Sequence, residues 1–242
     1  MTTTKRINLW SSPRNISTAL MYAFAQRSDT RVVDEPLYAH YLQHQPTEAE
    51  HPYREEVLAT MENDGERVVN NMLTQDYGRP VVVFKQMTHH LVELDRAFLQ
   101  QTINVLLIRD PRAILRSFGE VVKRVTAEDI GLPQQLALYR NLTNRNALAA
   151  VVDAKSLLEN PGGVISQLCA KLGLSFEKSM LSWSPGPRPE DGVWAPAWYA
   201  NVHRSTGFQP YRVREFTLSP ARQQIADACR PAYEEMLAVA LR

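Results

Sequence analysis

An α/β fold is what this sequence predicts, on three observations. Short apolar runs alternate along the chain with segments whose apolar positions recur at helical spacing. Two of the runs, 80–84 and 103–108, are continuous and too short for a helix, as strands covered on both faces are. The second run closes on Arg109-Asp110-Pro111, where an N-cap aspartate and an N1 proline announce a helix. With 242 residues, 44% hydrophobic and 22% charged, the composition is that of one large folded domain.

The elements follow in order. Ile7 to Trp10 reads as a strand, Ser11 to Asn15 as a turn, and the next segment as a helix with Leu20, Met21 and Phe24 on one face. Val32-Val33 begins a second strand that ends at Asp34-Glu35-Pro36, since proline cannot continue the ladder. Residues 52–76 read as helical, with Pro52 at N1 and Val57, Leu58 and Met61 on a stripe. The strand 80–84 delivers Lys85 to its end, and 89–101 reads as helical. After Asp110 comes a helix with the stripe Ile114, Phe118, Val121 and Val125. A helix over 133–148, a strand over 148–152 and a helix over 161–172, stopped at Gly173, follow. Residues 184–196, with four prolines and two glycines, read as an irregular loop, and the last helix runs from Pro220 to Leu241.

Several function classes are excluded at this level. A formal net charge of +1 gives no bulk field for a nucleic-acid backbone or an anionic membrane surface, so any anion site is local. The two cysteines, Cys169 and Cys229, match no metal-ligand spacing and make no disulfide framework, which fits a reducing cytoplasm. The N-terminus is too polar for a signal sequence, and no apolar run approaches a membrane span.

In open α/β sheets, ligands bind beyond the carboxyl ends of the strands. The residues there are Ser12 to Thr18, Asp34-Glu35, Lys85 and Arg109. In the first loop Arg14, the hydroxyls of Ser17 and Thr18 and the amides of a helix N-terminus make an anion site suited to phosphate or sulfate. The alternative is that Ser17 caps the helix and Arg14 is a solvated charge. The loop has no glycine and no lysine, and the first glycine of the chain is Gly65, so neither the GxxxxGK[ST] loop nor the GxGxxG fingerprint is present there. A lysine leaving a buried strand has an anion or carboxylate to meet, which favours a functional Lys85. Glu35 can be general-base material or, with Asp34, a helix-capping pair. His89-His90 reads first as a helix start and makes no metal site alone.

These segments resemble the sulfotransferases that use 3′-phosphoadenosine 5′-phosphosulfate. Pro13-Arg14-Asn15-Ile16-Ser17-Thr18 is similar to the family's 5′-phosphosulfate loop, with Asn-Ile in place of the usual Ser-Gly. The run from Leu107 to Ser117, an arginine after a strand and a serine eight positions on, is similar to the 3′-phosphate motif. Leu158 to Pro161 with Leu168 to Gly173 resembles a later helix of the family, and Arg204-Ser205-Thr206-Gly207 its cofactor-covering loop. Within the family the signatures PRNISTALM and DEPLYAHYL are similar to those of a small bacterial branch.

The resemblance implies a P-loop-NTPase-like three-layer fold with a central parallel sheet, a single domain over 1–242, a covering loop over 184–210 and a C-terminal helix over 219–242. It implies that Pro13 to Thr18 hold the phosphosulfate, Arg109 and Ser117 the 3′-phosphate, and Arg204 to Gly207 cover the nucleotide. A sulfuryl group would pass to a hydroxyl or amine of a small-molecule acceptor, with no metal needed, because cations of the chain meet the developing charge. Glu35 is the first choice of base, with Arg14 and Lys85 stabilising the leaving group. The cytosolic branch has a histidine two positions after its lysine, where Met87 stands here, so His90 or His89 is the less supported base. Two alternatives remain: a silent nucleotide-binding module of the same fold, and a kinase-like enzyme using ATP, against which the missing glycine-lysine loop counts.

Overall fold

The structure, a computed structural model, describes residues 4–44, 51–119, 125–212 and 215–242. Its frame is a six-stranded sheet in the order β2-β3-β1-β4-β5-β6, with every neighbouring pair parallel. The strands are β1 Lys5–Ser11, β2 Thr30–Asp34, β3 Val81–Met87, β4 Ile103–Ile108, β5 Leu148–Asp153 and β6 Ala240–Leu241. Helices cover both faces, which gives the three layers of the P-loop-NTPase-like architecture that the resemblance implies.

Period-2 alternation explains the layering. Ile7 and Leu9, Val81 and Val83, and Val105 and Leu107 pack on one face with Leu20, Met21 and Phe24 of α1 (Ser17–Ala25). Val164, Ile165 and Leu168 of α8 (Pro161–Lys171) complete that layer. Trp10, Val82, Phe84, Leu106 and Ile108 face the other layer, built from helices including α4 (Gly65–Thr74), α5 (Pro111–Gly119), α6 (Leu132–Asn144) and α11 (Pro220–Leu237). A third, smaller cluster sits beyond the carboxyl edge, where α2 (Tyr38–His44) and α3 (Arg54–Thr60) meet Trp194, Ala195 and Tyr199. Cys169 and Cys229 are free thiols in the interior.

Several boundaries differ from the sequence expectation, each for a local reason. The helix expected over 52–76 is two helices, α3 and α4, with Tyr53 rather than Pro52 leading into the first. Asn63-Asp64-Gly65 is a turn sequence, and the Asp64 carboxylate caps α4 by accepting from the amides of Glu66 and Arg67. The segment 89–101 holds no α-helix but two 3₁₀ turns, Thr88–His90 and Arg96–Gln101, the second capped by Asp95. The third strand continues past Phe84 to Met87, so Lys85 lies inside its last turn of pleat rather than after it. Asp110 does cap α5, accepting from the Arg112 amide at 2.7 Å, and Ile114 is buried; Val121 lies outside the described residues.

The helix expected over 161–172 is preceded by α7 (Ala154–Glu159), capped by Asp153. It stops where Gly173 takes φ 61°, a conformation that favours glycine, and the Leu174 amide closes back on the Cys169 carbonyl. The segment 184–210 is not wholly irregular, since it contains α9 (Ala195–Trp198) and α10 (Ala200–His203). The last helix ends at Leu237 rather than Leu241, because Ala240 and Leu241 pair with Val151 and Val152 as a sixth strand. Among the described residues no helix is long and apolar enough to cross a membrane.

The late segment is fastened at three places. Ser182 and Gly207 form an isolated antiparallel bridge, and the Trp183 indole donates to Ser205 Oγ at 3.1 Å. The Tyr22 hydroxyl donates to Asp191, which His203 also meets at 2.9 Å. A Cβ at position 207 would stand 2.7 Å from the Leu181 carbonyl oxygen, a backbone atom that cannot step aside. Gly207→Ala is therefore expected to destabilise by about 1–3 kcal/mol, read from the denaturant midpoint, and to speed proteolysis within 184–210.

Candidate functional site

Beyond the carboxyl ends of β1, β3 and β4 lies a cleft of about 1400 Å³. The chain leaves β1 toward one side of the sheet and β4 toward the other, so the crevice between these neighbours is the topological switch point of the fold. Pro13 to Ala19 line one end of the cleft with Arg109 and Ser117, while Glu35, Lys85 and His90 line it farther along.

The switch-point end is knitted across long sequence distances. The Arg14 Nε donates to Ser117 Oγ at 3.0 Å, and Arg109 donates to the Arg14 carbonyl at 2.5 Å. Asn15 Nδ2 donates to the Leu107 carbonyl at 3.0 Å, while its side-chain oxygen accepts from the Ile16 amide. Ile16 is the N-cap of α1 and makes no side-chain capping bond, so Ser17 is the first helical residue and the capping reading of Ser17 fails. The first-turn amides and the hydroxyls of Ser17 and Thr18 thus stay at the cleft. Arg14 holds φ 56°, an uncommon conformation for a side-chain-bearing residue, fixed here by the bonds on either side of it.

Positive groups gather at this end. Burial first, and then the Arg14 charge beside it, hold the Arg109 guanidinium below its ordinary value. Among the described residues no carboxylate forms an ion pair with Arg109. A half-buried guanidinium next to another fits an anion, which would relieve the repulsion and complete the hydrogen bonding.

At the other end the arrangement is closed. The fully buried Lys85 ammonium donates to Asp34 Oδ1 at 2.8 Å, Glu35 Oε1 at 2.5 Å and the Tyr199 hydroxyl at 2.7 Å. Burial works against the ammonium, but Asp34 and Glu35 overcome it and Lys85 titrates well above its ordinary value. Burial also raises the Glu35 carboxyl above its ordinary value, against the lowering effect of Lys85. Glu35 sits at φ 43°, clamped by its amide donating to the Lys85 carbonyl at 2.8 Å and its carbonyl accepting from Tyr38 at 2.9 Å. The expectation that Lys85 stabilises a leaving group does not fit this geometry. All three of its donors are committed, and its charge is shared by two carboxylates.

His90 lies with its Nε2 3.9 Å from Glu35 Oε2 and its ring stacked on Tyr38 and Tyr41, at 5.0 and 4.7 Å between centroids. Burial keeps it well below the ordinary histidine range and pushes His89 down to about 4, so both rings are neutral at neutral pH. They end a 3₁₀ turn rather than open an α-helix. Tyr38, Tyr41, His51, Trp194 and Trp198 form further walls, whereas Tyr53 is exposed and His40 turns away to donate from Nε2 to the Val92 carbonyl. Ser205 and Gly207 line the cleft, but Arg204 and Thr206 do not; Arg204 is exposed and donates to Asn201 Oδ1. His51, Thr126 and Asp129 reach the cleft through tertiary folding, and no motif marks them in the sequence. Among the described residues no group of three or more histidines, cysteines and acids is arranged to hold a metal.

Comparisons with known proteins bear on the family and the fold of the chain. Residues 5–240 match the family model described as a sulfotransferase domain. The chain is 40% identical over 231 residues to branched-chain-amino-acid aminotransferase-like protein 1 of Arabidopsis thaliana, a match that takes in 94% of this chain. The chain spans only 40% of that relative's length, and the relative's name does not fit the domain matched here. The sulfotransferase domain from the curacin biosynthetic pathway superposes with a TM-score of 0.52 at 17% identity, covering 100% of both chains. Mouse sulfotransferase SULT7A1, solved in complex with PAP, gives a TM-score of 0.55 at 10% identity over 97% of this chain and 89% of its own. These two likenesses are of fold, while the family match runs from the first strand to the last, and on it the chain belongs to the sulfotransferase domain family.

Proposed function

We propose that this chain transfers a sulfuryl group from 3′-phosphoadenosine 5′-phosphosulfate to a hydroxyl or amine of a small-molecule acceptor. The observation that carries the reading is the contact of Arg14 with Ser117 and Arg109, which gathers two anion-binding segments some 95 positions apart at one end of a cleft that holds a buried carboxylate farther along. The mouse structure with PAP supports the choice of nucleotide for a chain of this fold.

In this reading the first turn of α1, with Arg14, Ser17 and Thr18, grips the phosphosulfate, and Arg109 with Ser117 takes the 3′-phosphate. The co-substrate supplies an activated sulfuryl group whose bond to the 5′-phosphate oxygen breaks as the acceptor oxygen or nitrogen bonds to sulfur. Arg14 and the α1 amides meet the negative charge left on that phosphate oxygen. Glu35 Oε2 takes the acceptor proton, and a carboxyl raised by burial is a stronger base than an exposed one. Lys85 holds Glu35 in place, and Ser205 and Gly207 bound the nucleotide from the late segment. His90, neutral and 3.9 Å from Glu35, is the reserve base.

Calorimetric titration with 3′,5′-adenosine bisphosphate is expected to show tight binding that AMP does not match. Arg109→Ala should weaken it by at least about tenfold. Equal affinity for AMP, or a preference for ATP, would turn the reading toward the silent or kinase-like alternatives. Glu35→Gln should leave bisphosphate affinity within about twofold while turnover falls about 100-fold or more. The base must be ionised, so wild-type turnover is expected to decline as pH falls through a Glu35 pKa that burial raises above the ordinary carboxylate value. That acid limb should vanish from the residual activity of Glu35→Gln.

A further inference from the structure

We propose that Tyr199 is the positioning residue of the base: its hydroxyl holds Asp34 and Lys85 so that one oxygen of Glu35 is anchored and the other is left to the cleft. This rests on the sulfuryl-transfer reading with Glu35 as base. It adds a role for a residue of the late segment that no motif marks.

The hydrogen bonding at Tyr199 admits one arrangement. Lys85 Nζ and Trp194 Nε1 both donate to the phenolic oxygen, at 2.7 and 3.1 Å, which occupies its acceptor capacity. The phenolic proton therefore goes to Asp34 Oδ2 at 2.7 Å, an oxygen that also accepts from the Gly192 amide at 3.1 Å. With Asp34 Oδ1 and Tyr199 taking two of the three ammonium protons, the third is directed to Glu35 Oε1. Glu35 Oε2 accepts no hydrogen bond from the described residues, and His90 Nε2 stands 3.9 Å from it. The network thus divides the carboxylate into an anchored oxygen and a working one.

Remove the hydroxyl and the division fails. Asp34 loses a donor and Lys85 an acceptor, inside a site where Lys85 is completely buried and Asp34 is 6% exposed. Less well compensated, the Asp34 charge bears more heavily on Glu35. The charged and titratable groups that face Glu35 are Asp34 of β2, Lys85 of β3, His90 after β3, Tyr38 of α2 and Tyr199. Tyr199→Phe is accordingly expected to move the Glu35 titration upward, and Asp34→Asn, which removes a negative neighbour and leaves Lys85 to Glu35, to move it downward.

The test is a ¹³C-carboxyl NMR titration of glutamate-labelled protein, with the Glu35 resonance assigned by its loss in Glu35→Gln. Bisphosphate calorimetry is run on the same samples. A rise of about half a pH unit or more in Tyr199→Phe and a fall in Asp34→Asn are the expected result, with bisphosphate affinity unchanged. An unmoved Glu35 midpoint in Tyr199→Phe overturns the positioning role. Failure of the wild type to bind the bisphosphate overturns the functional reading instead. Should Tyr199→Phe not fold, Trp194→Phe removes one donor to the same hydroxyl and is expected to shift Glu35 upward by less. No shift in either Trp194→Phe or Asp34→Asn would also overturn the proposal.

Discussion

A lysine ammonium sealed from water between two carboxylates and a phenol governs the middle of this molecule. Lys85 could not be buried alone, since the desolvation of a charge in the interior is several kcal/mol even after relaxation. It is tolerated because each of its protons has an acceptor within 2.8 Å. Those acceptors come from β2, from the residue that follows it, and from a segment more than a hundred positions later, so the cluster joins the sheet to the cleft wall. Removing one partner would strand buried charge, a change that costs about 3–5 kcal/mol in comparable pairs.

The cleft consequently has two ends of opposite electrostatic character. At the switch point the Arg14 and Arg109 guanidinium groups act on one another, and burial together with the Arg14 charge holds Arg109 below its ordinary value. Around Lys85 the charges are already balanced and hydrogen-bonded, and what remains is one carboxylate oxygen in an aromatic wall. Neutral His89 and His90 add polar atoms there without adding charge.

The alternation of apolar runs made the sheet legible, because a strand buried on both faces has a sequence that little else has. Proline at the first position of α5 and the aspartate before it fixed one boundary closely. Helix interruptions were harder to read: Val57, Leu58 and Met61 keep a helical stripe up to the break, where Met61 turns extended and the Asp64 cap starts a second helix. The short sixth strand owes its existence to the open edge of β5 rather than to its own residues. Glu35, Lys85, Arg14 and Arg109 could be found because they follow strands or stand in one as charges. The pairing of Lys85 with Asp34 and Tyr199 could not, since hydrogen-bond partners so far apart in sequence leave no local pattern. Arg204 shows the opposite case, a motif position that stands exposed and bonds to Asn201.

The grip formed by Arg14, Arg109 and Ser117 has no local version. Its parts lie on β1's exit loop, at the end of β4 and in α5, and they meet only after β4 has docked beside β1. A fragment that lacks any of these three segments cannot form the grip. An anion bound there would therefore be linked to the global folding equilibrium, adding RT ln(1 + [L]/Kd) to the stability of the domain. A ligand seated at this grip would in this way register in the domain's resistance to heat and to degradation.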